Sequence, residues 1–345
     1  MTVSIITGDC QEVLATLPAK HFHTCVTSPP YYGLRDYGVD GQIGLEASPA
    51  AFIDQMVAVF REVHRVLRDD GTLWLNLGDS YCSNGGPGWQ GKNGQRSDRR
   101  FTATRNTVGM RTASRCAREH YKPKDLMGMP WRVAFALQED GWYLRQDIIW
   151  AKPNPMPESV RDRCTKAHEY IFLLSKSPKY AFDADAINEP VSPNTHARLS
   201  QDVIAQIASA RAHGGTKTMK AVGRTPKAKK AGFKVKNNES FGAATAMPVH
   251  RRNKRSVWTV GSDSYLGAHF STYPPALIEP CILAGSPEGG HVLDPFGGAG
   301  TTGLVADRLG RNATLIELNS EYATMARDRV LGDAPLLTDV SEGGS

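Results

Sequence analysis

The 345-residue sequence lacks any long hydrophobic run. No apolar stretch approaches the roughly 18 residues that a helix needs to cross a bilayer, which excludes a membrane-spanning class. The first residues, from Met1 to Thr7, contain no basic region followed by an apolar core, so they do not predict a signal peptide. These absences predict a cytoplasmic protein without a membrane partner.

Paired cysteines are also absent. Six cysteines are scattered at positions 10, 25, 82, 116, 164 and 281, and none belongs to a C-x-x-C pair. This spacing argues against a disulfide framework and against a zinc site. Because no compact cluster of His, Cys and Asp suggests another metal, we expect free thiols and no bound metal.

Acidic residues are scarce in two segments. The net charge is +6, but residues 82–124 contain ten Lys and Arg against two acids, and residues 186–255 contain fourteen against three. The rest of the chain therefore carries a net charge of −13. Basic segments attached to an acidic body favour a polyanion as partner. A solvated charged face is the alternative, but it would show alternating signs.

Strand and helix patterns alternate through both ends of the chain. This alternation predicts an α/β fold with a doubly wound, mostly parallel sheet. Two long polar stretches, residues 83–121 and 190–255, interrupt the pattern, and loops of this length are usually functional or disordered. The polar tail over residues 332–345 is expected to be flexible.

Two local predictions concern the middle of the first half. Ser48 and Pro49 predict the start of a long helix that ends at Gly71. A strand is then expected over residues 72–77. Further along, residues 169–174 and 180–182 are predicted to form paired strands around a Ser-Pro turn.

An apolar strand ends in the sequence Val26-Thr27-Ser28-Pro29-Pro30-Tyr31. Ser28 offers a hydroxyl oxygen, and the carbonyl of Pro29 offers a second hydrogen-bond acceptor whose direction Pro30 restricts. Tyr31 offers a flat face on which a nucleobase can stack. A Pro-Pro turn with a packing tyrosine is the alternative, and it would be preferred if this loop stood alone.

A glycine-rich turn, Asp294-Pro295-Phe296-Gly297-Gly298-Ala299-Gly300, follows a short strand near the other end of the chain. Continued to Gly303, it matches the dinucleotide fingerprint G-x-G-x-x-G, which makes an NAD-dependent oxidoreductase an alternative. Asp294 would crowd a pyrophosphate but suits the ammonium of methionine. Glu317, at the end of the next strand, can accept hydrogen bonds from both ribose hydroxyls. S-adenosylmethionine, a nucleoside with a sulfonium and no phosphates, fits this pattern better.

Together these loops resemble the motifs of the β group of DNA amino-methyltransferases, in which the catalytic loop precedes the cofactor loop. The resemblance covers most of the chain and implies a Rossmann-like class I methyltransferase fold in permuted order. It also implies methyl transfer from S-adenosylmethionine to an exocyclic nitrogen of cytosine or adenine in double-stranded DNA. On this basis residues 1–185 are the catalytic half with a basic insertion at about 82–122, residues 186–255 an inserted target-recognition region, residues 256–331 the cofactor-binding half, and residues 332–345 the tail.

The same resemblance implies a set of cofactor-binding residues. Asp9 matches the position that reads the adenine amino group, although it suits a helix N-cap about equally well. The segment Phe270-Ser271-Thr272-Tyr273-Pro274 resembles the motif that wraps the methionine end. The expected cofactor site comprises Asp9, Ser271, Thr272, Asp294, Phe296, Gly297, Gly298, Gly300, Thr301 and Glu317.

The first residue of the catalytic motif indicates the target base. Ser-Pro-Pro-Tyr resembles the cytosine-N4 subgroup, whereas adenine-N6 enzymes more often carry Asp or Asn in place of Ser28. Adenine-N6 methylation is therefore the alternative within this class. The four motif residues, Ser28, Pro29, Pro30 and Tyr31, are expected to act on a flipped base by direct attack, without a covalent enzyme intermediate.

Three further alternatives explain less of the sequence. Cytosine-C5 chemistry needs a nucleophilic cysteine, but the Pro280-Cys281 pair lies in an apolar helix where a buried packing role is expected. A catalytically silent DNA-binding protein would leave both loops unused. Methylation of a protein glutamine fits neither Ser28 nor the basic segments.

The target-recognition region is where we expect contacts with DNA. Lys227, Lys229 and Lys230 lie in a run of nine Lys and Arg without an acid, residues 211–236, and are expected to neutralise phosphates. Arg251 and Arg252 are expected to form paired hydrogen bonds with bases. No fused nuclease is indicated, so a restriction endonuclease would be a separate partner. Both a monomer and a homodimer fit the sequence.

If the basic segments bind phosphates, affinity for DNA should depend steeply on salt, because each neutralised phosphate releases counterions. We expect the Kd for duplex DNA to rise at least about tenfold between about 50 and 200 mM NaCl. Fluorescence anisotropy over a salt series measures this slope. A slope near zero would contradict the role assigned to both segments.

Overall fold

The structure is a computed structural model that describes residues 1–34, 38–82, 121–191, 251–262 and 272–333, and the backbone of Asp339–Glu342. The chain divides into two compact units. One comprises Met1–Ile187 and Arg255–Ser345, and the other comprises Asn188–Lys254. Most of the basic insertion and of the target-recognition region lies outside the described residues.

Among the residues that the structure describes, a nine-stranded sheet forms the centre of the larger unit. Its strands are β1 (Thr2–Thr7), β2 (Phe22–Thr27), β3 (Leu67–Leu77), β4 (Tyr143–Ala151), β5 (His168–Ser175), β8 (Val257–Thr259), β9 (His291–Asp294), β10 (Asn312–Glu317) and β11 (Asp339–Glu342). Their order is β11-β1-β10-β9-β2-β3-β5-β4-β8. All neighbours are parallel except that β5 is antiparallel to both β3 and β4. In the smaller unit, β6 (Glu189–Pro190) pairs antiparallel with β7 (Arg251–Arg252).

Helices pack on both faces of this sheet. Those described are α1 (Cys10–Thr16), α2 (Pro49–Val66), α3 (Met129–Glu139), α4 (Pro275–Gly285), α5 (Thr301–Arg308) and α6 (Ser320–Asp333). Buried residues of α1, α2 and α3 form one hydrophobic cluster, and those of α4, α5 and α6 form another. Consecutive residues of β2 alternate between the clusters, with Cys25 in the first and Val26 in the second. The doubly wound, mostly parallel α/β fold is therefore confirmed.

Helix α2 begins as predicted but ends earlier. The Ser48 hydroxyl accepts a hydrogen bond from the Ala51 amide, and Pro49 occupies the first turn. The helix ends at Val66, not at Gly71, because Leu67 already pairs with Phe22 of β2. The sequence pattern could not reveal this pairing, since it depends on a strand 45 residues earlier in the chain.

The predicted pair of strands at residues 169–174 and 180–182 is only half present. The first forms β5, which lies between β3 and β4. The second is not a strand, although the Ala181 amide donates to the Asp70 carbonyl. The ring of Phe182 instead stacks on Trp74 of β3, with 6.2 Å between ring centroids. Residues 180–182 therefore cover the sheet with the Phe182 side chain and do not pair with it as a strand.

Two stretches near the C-terminus form regular secondary structure. Helix α6 extends to Asp333, and Asp339–Glu342 forms the edge strand β11, parallel to β1. The expected flexibility of residues 332–345 stays a prediction. No helix in the described ranges is both long enough and apolar enough to cross a membrane.

Candidate active site

A deep cleft opens at the carboxyl edge of the sheet, between the loops that follow β1, β2, β9 and β10. It encloses about 1110 Å³ of empty space, its open mouth included. The sheet order explains the site, because it places the ends of β2 and β9 side by side although they are far apart in the sequence. The predicted site residues that line the cleft are Asp9, Ser28, Pro29, Pro30, Tyr31, Thr272, Phe296, Gly297, Gly298, Thr301 and Glu317.

The glycine turn combines close packing with an open backbone. A Cβ on Gly297 would lie 2.9 Å from the Cβ of Leu315 in β10. Gly300 has a φ of +77°, and a Cβ there would lie 2.8 Å from the Cβ of Ala326 in α6. Gly300 is not among the residues that line the cleft, so this structure assigns it the close contact between α5 and α6.

Glu317 is fixed at the floor of the cleft by two backbone amides. Its Oε2 accepts from the Gly298 amide at 2.8 Å and its Oε1 from the Asn319 amide at 2.9 Å. Burial raises the pKa of this carboxyl group, although the two amides counteract the rise. Each carboxylate oxygen keeps a lone pair that can accept a hydroxyl proton from a ligand.

Asp9 caps a helix and also lines the cleft, while its expected contact with adenine stays a prediction. Its Oδ1 accepts from the amides of Gln11 and Glu12, at 2.8 and 3.1 Å, which makes it the N-cap of α1. The residue also lines the cleft. The helix cap uses one carboxylate oxygen, so the two roles are compatible.

Asp294 lies beneath the cleft and does not line it. Only 1 % of the residue is exposed, and burial raises the pKa of its carboxyl group. Its Oδ1 accepts from the Thr27 hydroxyl at 2.6 Å, and its Oδ2 accepts from the hydroxyls of Tyr273 and Thr302 at 2.9 and 2.5 Å. In this structure Asp294 therefore joins the catalytic and glycine loops from below, while the ammonium contact expected from the sequence stays a prediction.

The catalytic loop is anchored through its tyrosine. The Tyr31 hydroxyl donates to Glu169 Oε2 at 2.7 Å, and the Ser28 hydroxyl donates to the Tyr31 oxygen at 3.4 Å. The Tyr31 ring lies so close to Gly78 that a Cβ at this glycine would collide with ring atom Cε2. Ser28 and Tyr31 therefore face the cleft from a fixed position.

Several residues of the site were not foreseen. Val39, Gln42 and Ile43 line the cleft from the loop before α2, and Asn319 and Tyr322 line it from the start of α6. The loop residues carry no sequence signal. Asn319 does carry one, since its side chain accepts from the Glu321 amide at 2.8 Å as a helix-capping residue does.

Some predicted contacts cannot be located. Ser271, Lys227, Lys229 and Lys230 lie outside the described residues. Arg251 and Arg252 form β7 of the smaller unit, where Arg252 pairs with Glu189 at 3.0 Å and Arg251 is exposed. Their expected contacts with bases stay predictions.

The cleft residues suit S-adenosylmethionine chemically. Two carboxylates, Asp9 and Glu317, offer acceptors for amino and hydroxyl groups of a nucleoside. Phe296 and the backbone of Gly297 and Gly298 form an adjoining surface without large polar side chains. A largely apolar cleft with a few placed acceptors is typical of a nucleoside site.

Removal of one donor to Asp294 should destabilise the protein. We expect Tyr273→Phe to lower the free energy of unfolding by about 1–3 kcal/mol. This loss of stability should grow as the pH rises from about 5 to about 8. Without the Tyr273 hydroxyl the pKa of Asp294 in the folded protein rises further, so ionisation of Asp294 destabilises the folded variant more than the unmodified protein. Urea unfolding at both pH values tests this. Tyr143→Phe, at an exposed residue of β4, is the control and should change stability by less than about 0.5 kcal/mol. Equal losses in the two variants would contradict the role of Asp294.

Comparison with protein families gives one match along most of the chain. A family model described as DNA methylase, which groups N6 and N4 methyltransferases, matches residues 22–328. Type II methyltransferase M.SmaI of Serratia marcescens is 44 % identical over 327 residues, covering 95 % of this chain and 90 % of the relative. Type II methyltransferase M.Cfr9I of Citrobacter freundii is 42 % identical over 331 residues, covering 96 % of this chain and 88 % of the relative.

Solved structures show the same fold. The cytosine-N4-specific PvuII DNA methyltransferase superposes with a TM-score of 0.57 at 17 % identity, over 95 % of this chain and 87 % of the other. A putative DNA modification methylase from Thermus thermophilus, complexed with S-adenosyl-L-methionine, superposes with a TM-score of 0.56 at 22 % identity, over 99 % of both chains. Because the family match spans most of the chain and the sequence relatives align along nearly their whole length, the chain belongs to the DNA methylase family, as an S-adenosylmethionine-dependent DNA amino-methyltransferase.

Proposed function

We propose that this DNA methyltransferase is sequence-specific and methylates the exocyclic N4 of cytosine in a flipped base. The observation that carries the proposal is Ser28 at the cleft, followed by Pro29, Pro30 and Tyr31. The residue before it, Thr27, joins this loop to Asp294 at the start of the glycine turn. The cleft thereby brings a neutral hydroxyl acceptor to the place where cofactor and base must meet.

The chemistry requires acceptors at the target nitrogen. The lone pair of an exocyclic amine is delocalised into the ring, so the amine is a weak nucleophile until its hydrogens are bonded to acceptors. The Ser28 oxygen and the Pro29 carbonyl supply two such acceptors, and the Tyr31 ring supplies a stacking face. S-adenosylmethionine supplies the methyl group when bound, with Glu317 and Asp9 expected to hold its ribose and adenine. Ser271 and Thr272 are expected at its methionine end.

Direct attack is favoured over a covalent enzyme intermediate. Cys281, the cysteine of the Pro-Cys pair, is 1 % exposed inside α4, and its thiol faces the Leu277 carbonyl of the same helix. It therefore cannot reach a base. Cys25 is buried in β2, and burial raises the pKa of its thiol well above the usual value. Neither thiol suits an attack on cytosine C5.

Adenine-N6 methylation is the second candidate function, since the same acceptors suit an adenine amino group. Ser28 favours cytosine, because the adenine enzymes more often carry Asp or Asn at this position. We further infer a restriction–modification role, because the sequence relatives are named Type II methyltransferases. Lys227, Lys229, Lys230, Arg251 and Arg252 are then expected to contact the DNA.

The target base is tested by the fate of a labelled methyl group. Purified protein is incubated with unmethylated DNA and S-adenosylmethionine that carries a deuterated methyl group, and the digested nucleosides are analysed by mass spectrometry. We expect labelled N4-methylcytosine, and a much weaker signal with Ser28→Ala, which removes the acceptor while leaving the cofactor cleft intact. Labelled N6-methyladenine would overturn the choice of base, and full turnover by Ser28→Ala would overturn the role of Ser28.

Cofactor affinity should depend on Glu317. Glu317→Gln removes a charged acceptor, and we expect the Kd for S-adenosylmethionine to rise about 10- to 100-fold. Calorimetry measures the Kd, and Glu321→Gln is the matched control, because Glu321 is exposed on α6 and does not line the cleft. Equal Kd values for the two variants would contradict the assignment.

A further inference from the structure

A network of polar side chains lies directly behind the catalytic loop. Glu169 at the start of β5 accepts a hydrogen bond from the Tyr31 hydroxyl at 2.7 Å. The Oδ1 of Asn76 in β3 lies 3.3 Å from the Tyr31 hydroxyl oxygen. Lys152, which follows β4, forms an ion pair with the other carboxylate oxygen of Glu169. The side chains of both ion-pair partners are largely covered, with 21 % exposure for Lys152 and 17 % for Glu169.

Contacts within and beside the central sheet hold Glu169, Lys152 and Asn76 in place. Glu169 is paired with Trp150 across β5 and β4, and the Lys152 ammonium lies 4.1 Å from the centroid of the Trp150 ring. The Asn76 amide nitrogen donates to the Tyr170 carbonyl at 3.0 Å, which turns its Oδ1 towards Tyr31. The network is therefore built before any substrate arrives.

This arrangement fixes the direction of every proton in the chain of hydroxyl groups. An ionised Glu169 beside Lys152 can only accept, and so can Asn76 Oδ1. The single phenolic proton of Tyr31 must then point at Glu169, the nearer and charged acceptor. The Tyr31 oxygen is left to accept from Ser28 at 3.4 Å. Since Ser28 also has a single hydroxyl proton, its lone pairs are directed away from Tyr31.

We infer that Glu169 is a positioning residue that makes Ser28 a hydrogen-bond acceptor towards the target amine. The inference rests on the proposed function, in which Ser28 accepts a hydrogen bond from the exocyclic amino group. A serine hydroxyl in solution donates or accepts with equal ease, and a donating hydroxyl would withdraw electron density from the amine. The carboxylate removes this ambiguity through Tyr31 without contacting the base itself.

The test is a pair of substitutions and their combination. Glu169→Gln keeps the shape but introduces an amide that can donate to Tyr31, and Tyr31→Phe keeps the ring but removes the intermediate oxygen. We expect each to lower kcat for methyl transfer to DNA about tenfold or more, while the Kd for S-adenosylmethionine changes less than about twofold. The double variant should be no slower than Tyr31→Phe alone, because Glu169 acts only through that hydroxyl.

Glu158→Gln provides the control. Glu158 forms an ion pair with Arg163 in the loop between β4 and β5, so this variant should retain the kcat of the unmodified enzyme. Cofactor affinity measured by calorimetry identifies any variant that fails to fold. If Glu169→Gln is unstable, Tyr31→Phe still tests the inference, because it leaves the Lys152–Glu169 ion pair in place. Losses that multiply in the double variant, or full kcat in Glu169→Gln, would overturn the inference. Absence of methyl transfer to DNA by the unmodified enzyme would instead refute the proposed function and the inference together.

Discussion

The site depends on one buried carboxylate. Asp294, at the end of β9, accepts hydrogen bonds from Thr27 at the end of β2 and from Tyr273 and Thr302. A buried carboxylate needs several donors, and these donors come from different parts of the chain. The requirement to satisfy one charge therefore holds the catalytic loop and the glycine turn at a fixed distance. A cleft that must align a base with a methyl group needs this rigidity.

The sheet order makes this arrangement possible. The ends of β2 and β9 are adjacent in the sheet, although the catalytic and cofactor motifs stand near opposite ends of the sequence. The antiparallel direction of β5 also contributes to the site, because β5 begins at the edge of the sheet where β3 and β4 end. Glu169, its second residue, thus reaches the same edge as Tyr31. An all-parallel sheet would place that position at the far edge.

The fold class and the motif-bearing loops could be predicted because their signals are local. The glycine turn, the Ser48 cap and the strand before Ser28 each depend on neighbours within a few residues. The predictions that were wrong depended on distant partners. The end of α2 is set by the pairing of Leu67 with Phe22, and residues 180–182 form no strand but place Phe182 on Trp74 of β3. The interior position of Asp294 and the contact of Glu169 with Tyr31 likewise arise only when separate strands come together.

The two-residue ladder of β6 and β7 has a consequence for how such an enzyme diversifies. Glu189 pairs with Arg252, so the chain enters and leaves this unit through two adjacent strands joined by an ion pair. A segment closed at its base in this way can change in length and composition without altering the register of the central sheet. If this segment reads the target sequence, specificity and catalysis can evolve as separate modules. New recognition sequences would then arise by exchange of the segment between the two strands of an unchanged ladder.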